Sequence, residues 1–156
     1  MAEWIRRRAA EIRKRELKAR QTRQQQSAKA GLIQSHDQEF FSELATALKE
    51  AVETFNREFP EPERRIEKME KLSARFVIRR SKGCGVEVEG RLDQAHRFLR
   101  YSIVRSPRVG TKNYRTEGSL EFDVSAKGEL LFRGSSTVPM TKVETVQLLL
   151  EPFFEF

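Results

Sequence analysis

The chain has 156 residues and a formal net charge of +7, with 34% charged and 38% hydrophobic residues. That length suits one domain with an appendage, and no stretch approaches the ~20 apolar residues of a membrane span. A lone cysteine, Cys84, excludes an intramolecular disulfide framework. The composition therefore favours a reduced, cytoplasmic setting.

The net charge is concentrated in residues 1–30, which hold ten Lys/Arg against three Glu, whereas residues 31–156 hold 20 of each sign. The first 30 residues lack Gly and Pro, and they carry only a thin apolar stripe that includes Ile5, Ala9 and Ile12. This pattern predicts a basic arm that is helical or partly disordered. Its candidate polyanion-binding residues are Arg6, Arg7, Arg8, Arg13, Lys14, Arg15, Lys18, Arg20 and Arg23.

Three interpretations of this basic arm stay open. Lys and Arg neutralise phosphates with release of counterions, so the arm could tether nucleic acid or an acidic protein. Attachment to a membrane surface ranks lower, because large apolar residues are few. The third interpretation is a solvated tail whose charge aids solubility.

A break and a second helix are predicted next. Gly31 fits a position just past a helix end, and Ser35 with Gln38 has capping-box spacing. We therefore expect a break at 30–35 and a helix at 36–58 with apolar residues at spacings of three and four. Its apolar stripe comprises Phe41, Leu44, Leu48, Val52, Phe55 and Phe59.

Residues 63–71 are predicted to form one more short helical stretch, with Ile66 and Met69 facing inward. After Leu72 the apolar period changes to two, which indicates half-buried strands joined by short connections. These features predict an antiparallel meander of four or five strands over about 72–137. The expected strands lie at 72–79, at 86–89 with an interruption near Gly90, at 95–105, at 116–124 and at about 129–137, with a loop at 106–113.

The C-terminus is predicted to be helical over 141–151, because Thr141 and Glu144 have capping-box spacing. The fold class is therefore α+β: long N-terminal helices pack on an antiparallel meander, and a short helix follows. An aromatic tail ends the chain and either closes the core or forms an exposed patch for a partner or a second copy. Its candidate interaction residues are Phe153, Phe154 and Phe156.

The predicted sheet is basic, because residues 71–116 carry a net charge of +9. Alternation places Arg75, Arg79, Arg97 and Arg105 on outward positions, where they form a secondary candidate surface for polyanions. The alternative, which we favour, is that such charges are neutralised by acidic neighbours within the fold.

The sequence lacks the residue spacings that metal binding, nucleophilic catalysis or nucleotide binding requires. His36 and His96 stand 60 residues apart without a cysteine pair, so no metal site is expected, and Cys84 reads as an incidental turn residue. Glu87 and Glu89 share a strand face, and cross-strand pairing with arginine is favoured over paired-carboxylate catalysis. No nucleotide-binding, nucleophile-elbow or zinc-protease motif is present, so no cofactor is expected.

The sequence therefore favours a non-enzymatic binding or adaptor module whose basic arm engages a polyanion, nucleic acid being one option and an acidic protein another. One alternative is a structural protein that self-associates, as a homodimer for example, through its N-terminal helices and aromatic tail. A second alternative is a ligand-binding or enzymatic pocket on the sheet that uses Glu87, Glu89, Tyr101 or His96.

Overall fold

The computed structural model describes residues 1–107, 112–134 and 138–156. The predicted loop at 106–113 and last strand at 129–137 therefore lie partly outside the described residues. Two compact units make up the chain, Met1–Leu32 and Ile33–Phe156. The elements are α1 (Ala2–Glu58), β1 (Lys68–Lys71), β2 (Arg75–Arg80), β3 (Gly85–Asp93), β4 (Phe98–Ser106), β5 (Tyr114–Val124), β6 (Leu130–Arg133), β7 (Pro139–Met140), α2 (Lys142–Leu150) and a 3₁₀ turn (Glu151–Phe154).

The sheet is an antiparallel meander in which every strand pairs with its neighbour in sequence, in the order β1 to β7. The α+β class and the meander are confirmed, but the described sheet has seven strands rather than four or five. The two extra strands, β1 and β7, have four and two residues. Such short strands offer too few alternations for a period of two to be recognised.

The predicted break at 30–35 is wrong, because α1 runs as one helix from Ala2 to Glu58. Gly31 has a helical backbone and open space around the position of a Cβ. A single glycine inside a helix costs only about 1 kcal/mol, which the helix-forming neighbours offset. Ser35 caps no helix end, and the Gln38 side chain instead donates a hydrogen bond to the Ser73 carbonyl.

The core forms where α1 packs its apolar stripe on one face of the sheet. Phe41, Leu44 and Leu48 are fully buried. The Phe41 ring stacks on Phe76 of β2 at a centroid distance of 5.8 Å, and Phe40 meets Phe122 of β5 edge-on at 5.8 Å. Burying each large apolar side chain contributes about 1.5–3 kcal/mol, so this stripe fixes α1 against the sheet.

The segment 63–71 is not helical, which corrects the prediction. A turn leads into β1, and the Asn56 side chain holds the Ile66 backbone on both sides, at 2.8 Å from its N–H and 3.0 Å from its carbonyl. Ile66 is buried and Met69 packs against the core, so both face inward as predicted. Leu72, which was predicted to begin the first strand, is exposed because residues 72–74 turn between β1 and β2.

Strand β3 continues through Gly90 instead of breaking there. The Phe76 ring lies over this glycine, and an added Cβ would come within 2.2 Å of it. The glycine therefore serves close packing within the sheet rather than a strand end.

The C-terminal helix agrees with the capping-box prediction. The Thr141 hydroxyl accepts a hydrogen bond from the Glu144 backbone N–H at 3.2 Å, and α2 follows at once. Pro152 then lies in the 3₁₀ turn that ends the helical region.

Candidate functional site

The basic residues of unit Met1–Leu32 all lie on α1. Side chains in this unit are exposed except those of Ala9 and Ala30, which are half-buried. Exposed ion pairs here include Arg7–Glu3 at 3.8 Å and Arg8–Glu11 at 3.2 Å. Among the described residues, the cations of this segment that form no ion pair with a carboxylate are Arg6, Arg13, Lys14, Arg15, Lys18, Arg20 and Arg23.

Helical spacing arranges these cations in rows. Residues seven apart lie almost on the same side of an α-helix, about 10.5 Å apart along its axis. Arg6, Arg13 and Arg20 form one such row, and Lys14 forms another with Arg7, which is paired with Glu3. The segment presents positive charge on several sides of the helix, and its exposed cations without a carboxylate partner are available to phosphate or carboxylate groups.

The sheet face opposite α1 carries arginines that are already paired. Arg75 on β2 contacts Glu89 on β3 at 2.9 Å, and Arg79 contacts Glu87 at 3.2 Å. Arg91 adds a second contact to Glu89 at 3.3 Å. The expected cross-strand pairing is therefore present, and it uses the two carboxylates that catalysis would have required.

Asp93, at the end of β3, is paired on the same face. The Arg100 Nε donates to Asp93 Oδ2 at 2.9 Å, and the His96 backbone N–H and ring also contact this carboxylate. The Arg100 hydrogen bond is the main reason that the pKa of Asp93 lies below its ordinary range, with the two His96 contacts adding to it.

Arg97 and Arg105 do not belong to the outward sheet face, which corrects the prediction. Arg97 lies in the 94–97 turn with a φ of 61°, and its carbonyl accepts a hydrogen bond from the Phe122 N–H. Arg105 pairs in register with Val86 on the side facing α1, where its Nε contacts Glu155 at 3.2 Å. The expected four-arginine surface therefore reduces to Arg75 and Arg79.

The four residues of the sheet-pocket hypothesis are not brought together. A cavity of about 360 Å³ on the sheet is lined by Glu89 and Tyr101 but not by Glu87 or His96. Tyr101 packs against the core on the α1 side, over Gly118, whereas Glu87 and Glu89 occupy alternate positions facing the other side. His96 lies in a turn rather than on a strand. The four residues of that hypothesis are thus divided between two faces and a turn.

The remaining polar candidates have ordinary partners. Cys84 is partly buried and its thiol lies 3.7 Å from the Pro107 carbonyl oxygen. His36 lies 3.7 Å from Glu39 of the same helix. Residues 1–107, 112–134 and 138–156 contain no group of three or more His, Cys, Asp or Glu side chains that could hold a metal ion.

The aromatic tail is divided between core and surface. Phe153 is fully buried, whereas Phe154 and Phe156 are 51% and 53% exposed. The Phe154 ring contacts Phe55 at a centroid distance of 5.1 Å, and Phe156 contacts Phe59 at 5.1 Å. Phe153 thus closes the core, and a partner contact through the exposed Phe154 and Phe156 stays a prediction.

Sequence reasoning missed the residue that holds this tail. Arg80 is 1% exposed and donates to four backbone carbonyls, at 2.9 Å to Cys84, 3.0 Å to Arg64, 2.7 Å to Phe153 and 2.8 Å to Glu155. Burial lowers the pKa of its guanidinium, an effect that Cys84 and Glu155 oppose. The sequence did contain a signal for this role, because Arg80 follows Phe76 and Ile78 at spacings of two on β2 and therefore faces inward with them.

The chain matches no family model, and comparisons with curated proteins and with solved structures found no similar protein or fold. No helix in the described residues is long and apolar enough to cross a membrane.

Proposed function

We propose that this protein is a non-enzymatic binding module whose basic N-terminal segment engages a polyanion, with nucleic acid in the cytoplasm as the first candidate. The observation that carries the proposal is the set of exposed, unpaired cations along residues 6–23 of α1. Each cation that contacts a phosphate releases condensed counterions, so binding should weaken steeply as salt rises.

The sheet is a poorer candidate for binding a polyanion, which favours the basic segment of α1. Its outward arginines Arg75 and Arg79 are committed to Glu89 and Glu87 within the fold. Withdrawing them for a phosphate would leave partly buried carboxylates without their partners, which opposes binding there. The basic segment of α1 has no such competition.

The test is fluorescence anisotropy with labelled single-stranded and duplex oligonucleotides over a salt series. The test variant is Arg7→Glu with Lys14→Glu and Lys18→Glu, which keeps good helix formers on one side of α1. The matched control makes the same charge change at exposed lysines of the other unit, Lys49→Glu with Lys112→Glu and Lys127→Glu.

We expect the test variant to lose most binding at physiological salt, and its log–log salt slope to fall by about three. The control should bind nearly as the wild type does. Equal losses in the two variants, or no wild-type binding at physiological salt, would contradict the proposal. Polyglutamate that displaces the oligonucleotide as well as unlabelled DNA of equal charge would assign the segment to acidic proteins instead.

A further inference from the structure

An apolar groove lies between the C-terminal part of α1 and α2. It encloses about 640 Å³, and its floor is formed by apolar side chains of both helices. Phe154 lines it and is 51% exposed. An exposed phenylalanine beside such a cavity marks a surface that a partner side chain can cover. The apolar lining residues are Ala51, Phe55, Phe59, Val146, Leu150 and Phe154.

The rim of the groove is acidic. Glu58 at the end of α1 and Glu151 after α2 both line it, and both are exposed. Neither carboxylate forms an ion pair with a described residue. An apolar floor with unpaired carboxylates at its edge fits an amphipathic helix that carries cations beside its apolar side chains.

The same chain contains a segment with that pattern. Ile5, Ala9 and Ile12 stand at i, i+4 and i+7 of α1, the spacing with which a helix enters a groove. Ile5 and Ile12 are 53% and 45% exposed. Arg8 and Arg13 flank this apolar row on either side, so the segment is complementary to the groove in both apolarity and charge.

We propose that residues 5–13 of a second copy of this chain dock in the groove, with Ile5 and Ile12 against its floor and Arg8 and Arg13 toward Glu58 and Glu151. Reciprocal docking would give a closed dimer with two equal contacts. Docking would require Arg8 to leave its ion pair with Glu11, which costs little free energy because exposed ion pairs of this kind are weak.

The inference is independent of the polyanion proposal. Arg7, Lys14 and Lys18 lie on the side of α1 opposite Ile5 and Ile12, by the helical period. Docking of the apolar row leaves those cations in solvent. Failure of one proposal is therefore distinguishable from failure of the other.

Sedimentation equilibrium of the full chain, from micromolar to millimolar concentration, tests the dimer. One variant carries Ile5→Gln with Ile12→Gln, and its control carries Trp4→Gln with Leu17→Gln, which are exposed at other angles of the helix. A groove variant carries Phe154→Gln, and its control carries Val143→Gln, which is 67% exposed and outside the groove lining.

We expect the dimer dissociation constant to rise at least about tenfold in each test variant, because buried apolar area is lost, and to stay unchanged in both controls. Mixing the two test variants should restore one of the two contacts and give partial association. Circular dichroism identifies any variant that fails to fold, and a milder Phe154→Leu substitution then replaces the groove variant.

A wild-type chain that stays monomeric throughout would overturn the proposal. A dimer that survives Ile5→Gln with Ile12→Gln would also overturn it, because another segment would then be the occupant. Oligonucleotide binding measured in parallel should be unaffected by the isoleucine substitutions.

Discussion

Arg80 holds the aromatic tail in place by hydrogen bonds to backbone carbonyls. Its guanidinium donates to one carbonyl in the turn after β2, one in the 61–65 turn and two in the tail. Replacing it with methionine keeps much of the side-chain volume but leaves those buried carbonyls without donors. We expect Arg80→Met to lower the free energy of unfolding by about 2–4 kcal/mol, measured by urea denaturation. Arg80→Lys should recover part of this, because one ammonium reaches fewer acceptors.

The same substitution should speed amide hydrogen exchange at residues 153–156, because two of the four acceptors belong to this segment. A loss smaller than about 0.5 kcal/mol would contradict the assigned role, since that is the range of ordinary surface substitutions.

Asp93 gives a pH dependence whose sign follows from its lowered pKa. A carboxylate with a pKa lower in the folded state stabilises the fold above its unfolded pKa, and this stabilisation is lost as the pH falls through the folded value. We expect the stability difference between wild type and Asp93→Asn to be constant near neutrality and to shrink below about pH 4. Urea denaturation at a series of pH values measures it.

Glu121→Gln serves as the control for this experiment. Glu121 is exposed on the same sheet face and forms no ion pair with a described residue. Its substitution should leave the pH profile unchanged. Parallel profiles for wild type and Asp93→Asn down to about pH 3 would show that the Arg100 contact is not maintained in solution.

At the scale of elements, the unbroken α1 makes a prediction about Gly31. An added Cβ meets nothing within 4 Å there, so Gly31→Ala should raise helix stability by about 0.5–1 kcal/mol. Slower amide exchange at 28–34 and a larger helical signal in circular dichroism would report it. Gly118→Ala is the contrasting control, because its Cβ would lie 2.3 Å from the Tyr101 ring and should cost about 1–3 kcal/mol.

Local pattern was enough to predict some elements and not others. The alternation at 116–124 falls within β5 and the Thr141 cap is present, because both depend on residues close in sequence. The break at Gly31 was wrong because one weak helix residue does not outweigh its neighbours. For the candidate site, the basic arm was visible from composition. The groove was not, because it exists only once α1 and α2 are neighbours.

At the scale of the whole molecule, the cations of the sheet and those of the first 30 residues differ in whether they have carboxylate partners. On the outward face of the sheet, Arg75 is matched by Glu89 and Arg79 by Glu87 on the adjacent strand. Cations of the first 30 residues outnumber their carboxylates by seven, the net charge of the full chain. The two proposed surfaces therefore share one helix. The side that carries Arg7, Lys14 and Lys18 is proposed to face a polyanion, and the side that carries Ile5 and Ile12 is proposed to face a second copy.

The sheet order has a consequence for how the chain is made. Every strand from β2 to β7 pairs with the strand synthesised just before it, so each hairpin closes a short loop of chain. Because α1 precedes the sheet in sequence, its apolar stripe leaves the ribosome first and is present when the inner face of each strand appears. The growing sheet thus has a surface to pack on from its first hairpin, which limits the time during which a nascent chain exposes apolar strands to its neighbours.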